Sequence, residues 1–232
     1  MTGTVSKIFV CGENNLREEK IVEMQIQSLV RILALRDLGT KEHTHRVTAM
    51  ALSFAHLWNM PQKQLDYIRW GSQLHDIGKI GIPDAILHKN DPLTNEERAI
   101  VQMHPVYAYE LLCPVPYLHS VLDIPYCHHE KWDGSGYPRG LRDTQIPFVA
   151  RLFAIVDVWD ALLSDRPYRA AWSKDRAITY LHCQSGKHFD PEIVTMFGKL
   201  LGKTSEFKDI NSLLSPEHQS AMLQDLALDS FS

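Results

Sequence analysis

Residues 18–38, EEKIVEMQIQSLVRILALRDL, set Val22, Ile26, Leu29 and Leu33 at three- and four-residue intervals among charged and amide side chains. That period belongs to an amphipathic helix, because a strand alternates every two residues. The same rhythm continues downstream. Val47, Met50, Ala51 and Phe54 mark the inward face of a second helix over 43–57, and a third runs over 62–77 and stops at Gly78. Thr94 with Glu97 makes a capping box ahead of a helix that continues through His104 toward Leu112. Asp190-Pro191 and Ser215-Pro216 each offer an N-cap followed by proline at the first helical position. No alternating run is long enough to specify a strand, so the expected fold class is all-α, without internal repeats or low-complexity linkers. The chain divides into an N-terminal helical segment over 1–38, a main domain over 39–203 and a peripheral helix or tail over 204–232. The first helix reads either as a connector, a dimerising one included, or as a helix packed on its own domain.

The chain has 232 residues, 44% of them hydrophobic and 22% charged, proportions that suit a soluble domain with a full core. A formal net charge of -4 argues against a general nucleic-acid binder but leaves room for a local basic patch around a phosphate ligand. The cysteines, Cys11, Cys113, Cys127 and Cys183, show no CxxC pairing, which argues against a zinc finger or disulfide framework and fits a reducing cytoplasm. The longest apolar stretch, residues 146–163, is broken by Arg151, Asp157 and Asp160, so no membrane span is expected. The start of the chain lacks a secretory signal pattern, and a cytoplasmic location is expected.

Two stretches carry chemistry. HHEKWDGSGYP, residues 128–138, places His128 and His129 ahead of a glycine-studded turn, and LHDIGKIGIPD, residues 74–84, places His75 and Asp76 at a helix end with Lys79 one turn on. His43 and His104 fall where helices pass, and Asp157 lies in an apolar helix where an unpaired carboxylate is costly. Each has a plainer reading. His43 and His45 suit a surface, His104 before Pro105 suits a cap, Asp157 suits a pair with Arg151, and Cys127 suits a small buried residue rather than a ligand. Together, five histidines and two aspartates form a mixed nitrogen and oxygen donor set suited to Fe, Mn or Zn rather than calcium. Seven ligands suit two metals sharing one carboxylate, with a hydroxide between them, the usual apparatus for splitting phosphate esters. Lys79 would bind phosphate or stabilise its developing charge.

In these motifs the chain resembles the HD-GYP family, a branch of the HD-domain metal-dependent phosphohydrolases. The likeness covers about residues 40 to 200 and includes HTHRV at 43–47, LHDIGKIGIPDAIL at 74–87, MHP at 103–105, HHEKWDGSGYP, IPFVARLFAIVDVWDAL from 146, RPYR at 166–169 and HFDPEIV at 188–194. The resemblance implies an HD-domain helical bundle with additional C-terminal helices. It implies that His43, His75, Asp76 and Asp157 surround one metal, with Asp76 bridging to a second held also by His104, His128 and His129. It further implies hydrolysis of cyclic di-GMP to linear pGpG, with Asp76 and Lys79 in the catalytic centre. Lys79, Tyr137, Asp160, Arg166 and Arg169 are then the substrate contacts, and the two divalent ions are Fe or Mn. Gly39 stands where some members carry a glutamate that helps hold a third metal, so a dinuclear site and pGpG as end product are expected. Arg169 replaces a common lysine, and Ala108 a frequent glycine.

Two other readings stay open from sequence: a phosphodiesterase for another cyclic dinucleotide such as 3′,3′-cyclic GMP–AMP, and a cyclic-dinucleotide sensor that recruits a partner without hydrolysis. The partners expected are the dinucleotide itself and, through the N-terminal helix or the GYP loop, a second copy or another protein. Neither a nucleic-acid polymer nor a membrane is expected. The remaining histidines, His188 among them, read as packing or surface residues.

Overall fold

The computed structural model describes residues 6–36, 40–89, 91–165 and 169–202, with backbone alone for 6–19 and 40. The expected tail over 204–232, with its Ser215-Pro216 cap, and Arg166 lie outside the described residues. Ten α-helices follow one another in the described part. They are α1 (Ser6–Arg36), α2 (Thr40–Ala55), α3 (Gln62–Leu74), α4 (Asp84–Leu87), α5 (Asn95–Val101), α6 (His104–Leu112), α7 (Asp123–Cys127), α8 (Phe148–Leu163), α9 (Lys174–Cys183) and α10 (Pro191–Leu200). A tight 3-10 turn over Ile77–Gly81 links α3 toward α4. No strand occurs among the described residues, in agreement with the all-α reading.

Helix α8 is the axis of the larger core. Eleven of its residues are buried, Asp157 the one charged member, as befits a helix apolar on every side. Phe153, Val156 and Leu162 of α8 share a cluster with Val47, Ala51 and Phe54 of α2, Ile178 and Leu181 of α9, and Ile193 and Phe197 of α10. A second cluster joins Val22, Ile26 and Leu33 of α1 to Trp70 and Leu74 of α3 and Ala108 and Leu112 of α6. The periodic positions in α1 are thus core positions, packed on the same domain.

Local chemistry sets the helix ends. Thr94 accepts from Glu97 N–H at 3.2 Å and Glu97 accepts from Thr94 N–H at 2.8 Å, the reciprocal box expected from sequence. Asp190 accepts from Glu192 N–H at 2.8 Å to start α10. Two expected helices are broken where they meet the site. The helix begun at Thr94 ends at Val101, and α6 starts afresh at His104 with Pro105 in its first turn, because proline disfavours a continuing helix through the residue before it. The third helix ends at Leu74 rather than Ile77, and Asp76 sits at φ -96°, ψ 5° as the chain tightens into the 3-10 turn. Gly78 allows that turn to lie against α6: a Cβ there would fall 1.8 Å from His104 O and 2.6 Å from Ala108 N.

Candidate metal centre

Five elements converge on one buried cluster of donors. Helix α2 supplies His43, the end of α3 supplies His75 and Asp76, the first turn of α6 supplies His104, the end of α7 leads into His128 and His129, and α8 supplies Asp157. The ligand atoms form two groups, His43 with His75 and Asp157, and His104 with His128 and His129, each with its atoms within 4.8 Å of one another. Asp76 lies between them. Its Oδ2 is 3.2 Å from His75 Nε2 and its Oδ1 is 3.5 Å from His104 Nε2. One oxygen therefore faces each group, the placement a bridging carboxylate requires.

The imidazoles are held with one face already chosen. His75 Nδ1 is 2.8 Å from Ser72 O, His104 Nδ1 2.9 Å from Val101 O, and His128 Nδ1 3.0 Å from Ile124 O. A carbonyl can only accept, so each Nδ1 carries the proton and each Nε2 turns a lone pair inward, the tautomer a metal needs. For His43 a carboxylate does this work: Nδ1 is 2.7 Å from Asp160 Oδ2. Arg46 then clamps Asp160, with Nε to Oδ1 at 2.6 Å and Nη2 to Oδ2 at 2.8 Å.

Electrostatics favour a cation. Burial pushes His104 down to about 4 and His128 down to about 3, with neighbouring imidazoles adding to the effect, and burial holds His129 well below its ordinary value. All three are neutral donors at pH 7. Burial opposes ionisation of Asp76, yet Lys79 at 2.8 Å and His75 keep it well below the usual carboxylate range. Burial opposes charge on His43 too, but the Asp157 and Asp160 carboxylates lift it to about 9, so without an ion its Nε2 is protonated at pH 7 and that proton must leave before the nitrogen can hold a metal. Asp157 Oδ1 is buried without a well-formed hydrogen bond, although His43 Nε2 stands 3.1 Å away. Two donor atoms facing each other without a good hydrogen bond suit an ion held by both. The donor set fits a divalent metal on this ground.

The GYP loop closes one side of the cluster. Tyr137 stacks on His129 with ring centroids 4.8 Å apart and 22° between planes, and its N–H reaches His129 O at 3.2 Å. Glu130, buried, accepts from the backbone N–H groups of Arg139 and Leu141, both at 2.8 Å. Gly136 lies so close to the start of the loop that a Cβ would sit 2.3 Å from Lys131 N. Behind the loop, Trp132 N–H donates to His188 O at 3.0 Å and the His188 ring stacks on Phe189, so the HFDP stretch buttresses the turn.

The plainer reading holds for Cys127 and fails for Asp157 and His104. Arg151 pairs with Asp190 rather than Asp157, His104 makes no cap, its ring facing Asp76 and His128, and Cys127, its thiol pushed up to about 12 by burial, packs with Ile146 and Ala150. The substrate contacts expected from the resemblance are placed unevenly. Lys79 and Tyr137 border the cluster, whereas Asp160 is engaged by His43 and Arg46. Arg169 bonds the carbonyls of Ala161, Leu162 and Ala170 at 2.9 to 3.2 Å at the end of α8 and stacks over Trp172. Arg46 and Glu130 went unremarked in the sequence. Arg46 follows His43 by one helical turn, a spacing that could have flagged it.

Known proteins resemble this chain. A family model described as "HD domain" matches residues 27–193. The chain is 40% identical over 171 residues, 73% of its own length and 45% of the relative's, to the cyclic di-GMP phosphodiesterase response regulator RpfG of Xanthomonas campestris pv. campestris. It is 38% identical over 191 residues, 82% of its own length and 36% of the relative's, to 3′3′-cGAMP-specific phosphodiesterase 2 of Vibrio cholerae. The chain spans less than half the length of these relatives. Among solved structures, an HDG"Y"P protein from Bdellovibrio bacteriovorus matches with a TM-score of 0.57 and 20% identity, covering 69% of this chain and 51% of that one; that likeness concerns the fold. With the HD motif and GYP loop assembled around one buried donor cluster, the chain belongs to the HD-domain family, in its HD-GYP branch.

Proposed function

We propose that this chain is a metal-dependent phosphodiesterase that opens cyclic di-GMP to linear pGpG at a dinuclear centre of Fe or Mn. The observation that supports it most is the pair of donor groups joined through Asp76, with histidine lone pairs already turned inward. His43, His75 and Asp157 would hold one ion, His104, His128 and His129 the other, and Asp76 both. Ions bound there supply Lewis acidity to activate water and neutralise phosphate charge. Residues 39–203 form the catalytic part in this reading.

The chain's own residues do the rest. Lys79 is buried and holds Asp76 Oδ2 at 2.8 Å, which places its positive charge beside the centre, where negative charge on a phosphate would grow. Asp160 keeps the proton of His43 on Nδ1, and the three backbone carbonyls do the same for His75, His104 and His128. Burial, with the Asp76 and Asp157 carboxylates, raises Tyr137 far above its ordinary value. Its phenol therefore stays neutral, able to donate to the substrate or stack on a base. The loop behind it is latched by Glu130. Cys113, Cys127 and Cys183 are free thiols, which fits a reducing cytoplasm.

A second reading rests on the 3′3′-cGAMP-specific relative, which makes 3′,3′-cyclic GMP–AMP the alternative substrate. Anaerobic incubation with Fe(II) or Mn(II) and each dinucleotide, with chromatographic separation of products, tests both. Accumulating pGpG with little GMP supports the leading reading, and faster turnover of the mixed dinucleotide supports the second. Binding without hydrolysis under either metal makes the chain a sensor.

A further inference from the structure

We propose that Arg36, the last residue of α1, is a positioning residue for Lys79, acting through the backbone of the turn over Ile77–Gly81; this rests on the role of Lys79 in the proposed phosphodiesterase. The turn is short, and its end cannot close on itself. Lys79 N–H donates to Asp76 O at 2.9 Å and Ile82 N–H to Lys79 O at 3.0 Å. The next bond of that series would run from residue 83 to Ile80 O, but Pro83 has no N–H to give. Ile82, fully buried, leaves the turn extended at φ -82°, ψ 134°. The carbonyls of Ile80 and Ile82 therefore lie past the turn's last donor and call for one from elsewhere.

Arg36 is that donor. Its Nη1 donates to Ile80 O and its Nη2 to Ile82 O, and Nε and Nη2 also reach Asp84 Oδ1 at 3.1 and 2.7 Å. The Asp84 side chain is 73% exposed, where an ion pair contributes little, so the grip on the turn lies in the two carbonyls. One planar guanidinium spans both, which the compact ammonium of a lysine does not reproduce. The other side of the turn rests on α6. A Cβ on Gly78 would fall 1.8 Å from His104 O, and one on Gly81 would fall 2.6 Å from the Tyr107 ring. Ile77 packs with Leu74 and Ala108 in the second core cluster, which pins the start of the turn. Lys79 thus sits between a pinned start and an end held by Arg36. Its Nζ meets Asp76 Oδ2 at 2.8 Å, so a shift of that end carries the ammonium away from the bridging carboxylate and from a phosphate bound beside it.

In the full chain loaded with Mn(II), Arg36→Ala is expected to lower kcat for cyclic di-GMP about 10- to 100-fold with KM changed less than about 2-fold, as displacement of a catalytic group does. Arg36→Lys, able to meet one carbonyl at a time, falls between the two. A Lys79→Met background separates positioning from general damage: there Arg36→Ala is expected to cost less than about 2-fold more, because the group it positions is gone. Equal losses in the two backgrounds overturn the proposal, as does an Arg36→Ala chain with unaltered kcat. Hydrogen exchange gives a readout that needs no turnover. Amides over 77–82 are expected to exchange at least about 10-fold faster in Arg36→Ala while those of α8 keep their rates. Unchanged exchange over 77–82, or a rise that extends equally to α8, overturns the proposal. If the unaltered chain hydrolyses no cyclic dinucleotide, the proposed function falls, and the exchange rates alone decide whether Arg36 holds the turn.

Discussion

Asp160→Asn is a sharp test of how the centre is held. The aspartate is mostly buried, accepts from His43 Nδ1–H at 2.7 Å on one oxygen, and takes the Arg46 fork on both. Asparagine keeps the shape and loses one acceptor and the charge. If its Nδ2 faces His43, Nδ1 must become the acceptor and the proton moves to Nε2, where it blocks the lone pair aimed at Asp157. If its oxygen faces His43, two N–H donors face the Arg46 guanidinium and the clamp opens. Both outcomes loosen a metal ligand, and the loss of such a supporting partner weakens metal binding about 10- to 100-fold, or about 1.4 to 2.7 kcal/mol. Chelator competition with Mn(II), followed by the metal content per chain, reads the affinity directly, and KM for the dinucleotide is measured at saturating metal. We expect weaker metal binding with KM changed little once the site is filled. Unchanged metal affinity with a raised KM would refute the reasoning and return Asp160 to the role of a substrate contact.

Other perturbations follow from the same geometry. Gly78→Ala forces a methyl into His104 O and moves α6 away from Asp76; we expect a stability loss of about 1 to 3 kcal/mol by urea titration, with less than two equivalents of metal bound. Gly136→Ala collides with Lys131 N and should lower turnover while both metals remain, measured by metal analysis beside the rate. Lys79→Met should reduce turnover by roughly 100-fold with the dinuclear site still loaded. For the metal-free protein, the histidines set the pH dependence of stability. His104, His128 and His188 have folded values depressed to about 4, 3 and 3, so the unfolded chain takes up protons first and stability falls as pH drops below about 6.5. Each loses about 1.4 kcal/mol between pH 7.5 and 5.5, and His43, raised to about 9, gains a similar amount over that range. For these four the net loss is on the order of 3 kcal/mol, and His129, also depressed by burial, adds to it; urea midpoints after chelation read the loss, and a midpoint that is flat or rises on acidification goes against it.

Much of the fold was legible because helix packing writes its period into the sequence. Val22, Ile26 and Leu33 are buried as their spacing requires, and the Thr94 box forms both of its bonds. The donor set was legible because histidine and aspartate at helix ends and in an apolar helix have few cheap explanations. The illegible parts depend on contacts far apart in sequence. Arg46 meets Asp160 across 114 positions and His43 meets it across 117, a pairing that exists only once α2 lies on α8. Sequence resemblance offered Asp160 as a substrate contact, and its bonds to His43 and Arg46 became visible only in the fold. The break of the helix at Val101 and the early end of α3 at Leu74 escaped for a related reason. Local propensity there yields to Pro105 and to the close approach of Gly78 to α6. Glu130 was hidden in plain view, since its partners are backbone N–H groups that no side-chain pattern announces.

The account turns on two ions acting together at one centre. Metal-free protein titrated anaerobically with Mn(II), with pGpG formation from cyclic di-GMP followed at each addition, addresses this directly. Hydrolysis that is absent without metal, slight at one equivalent and complete near two is the predicted result. Full activity at a single equivalent, or hydrolysis that persists without metal, would contradict it.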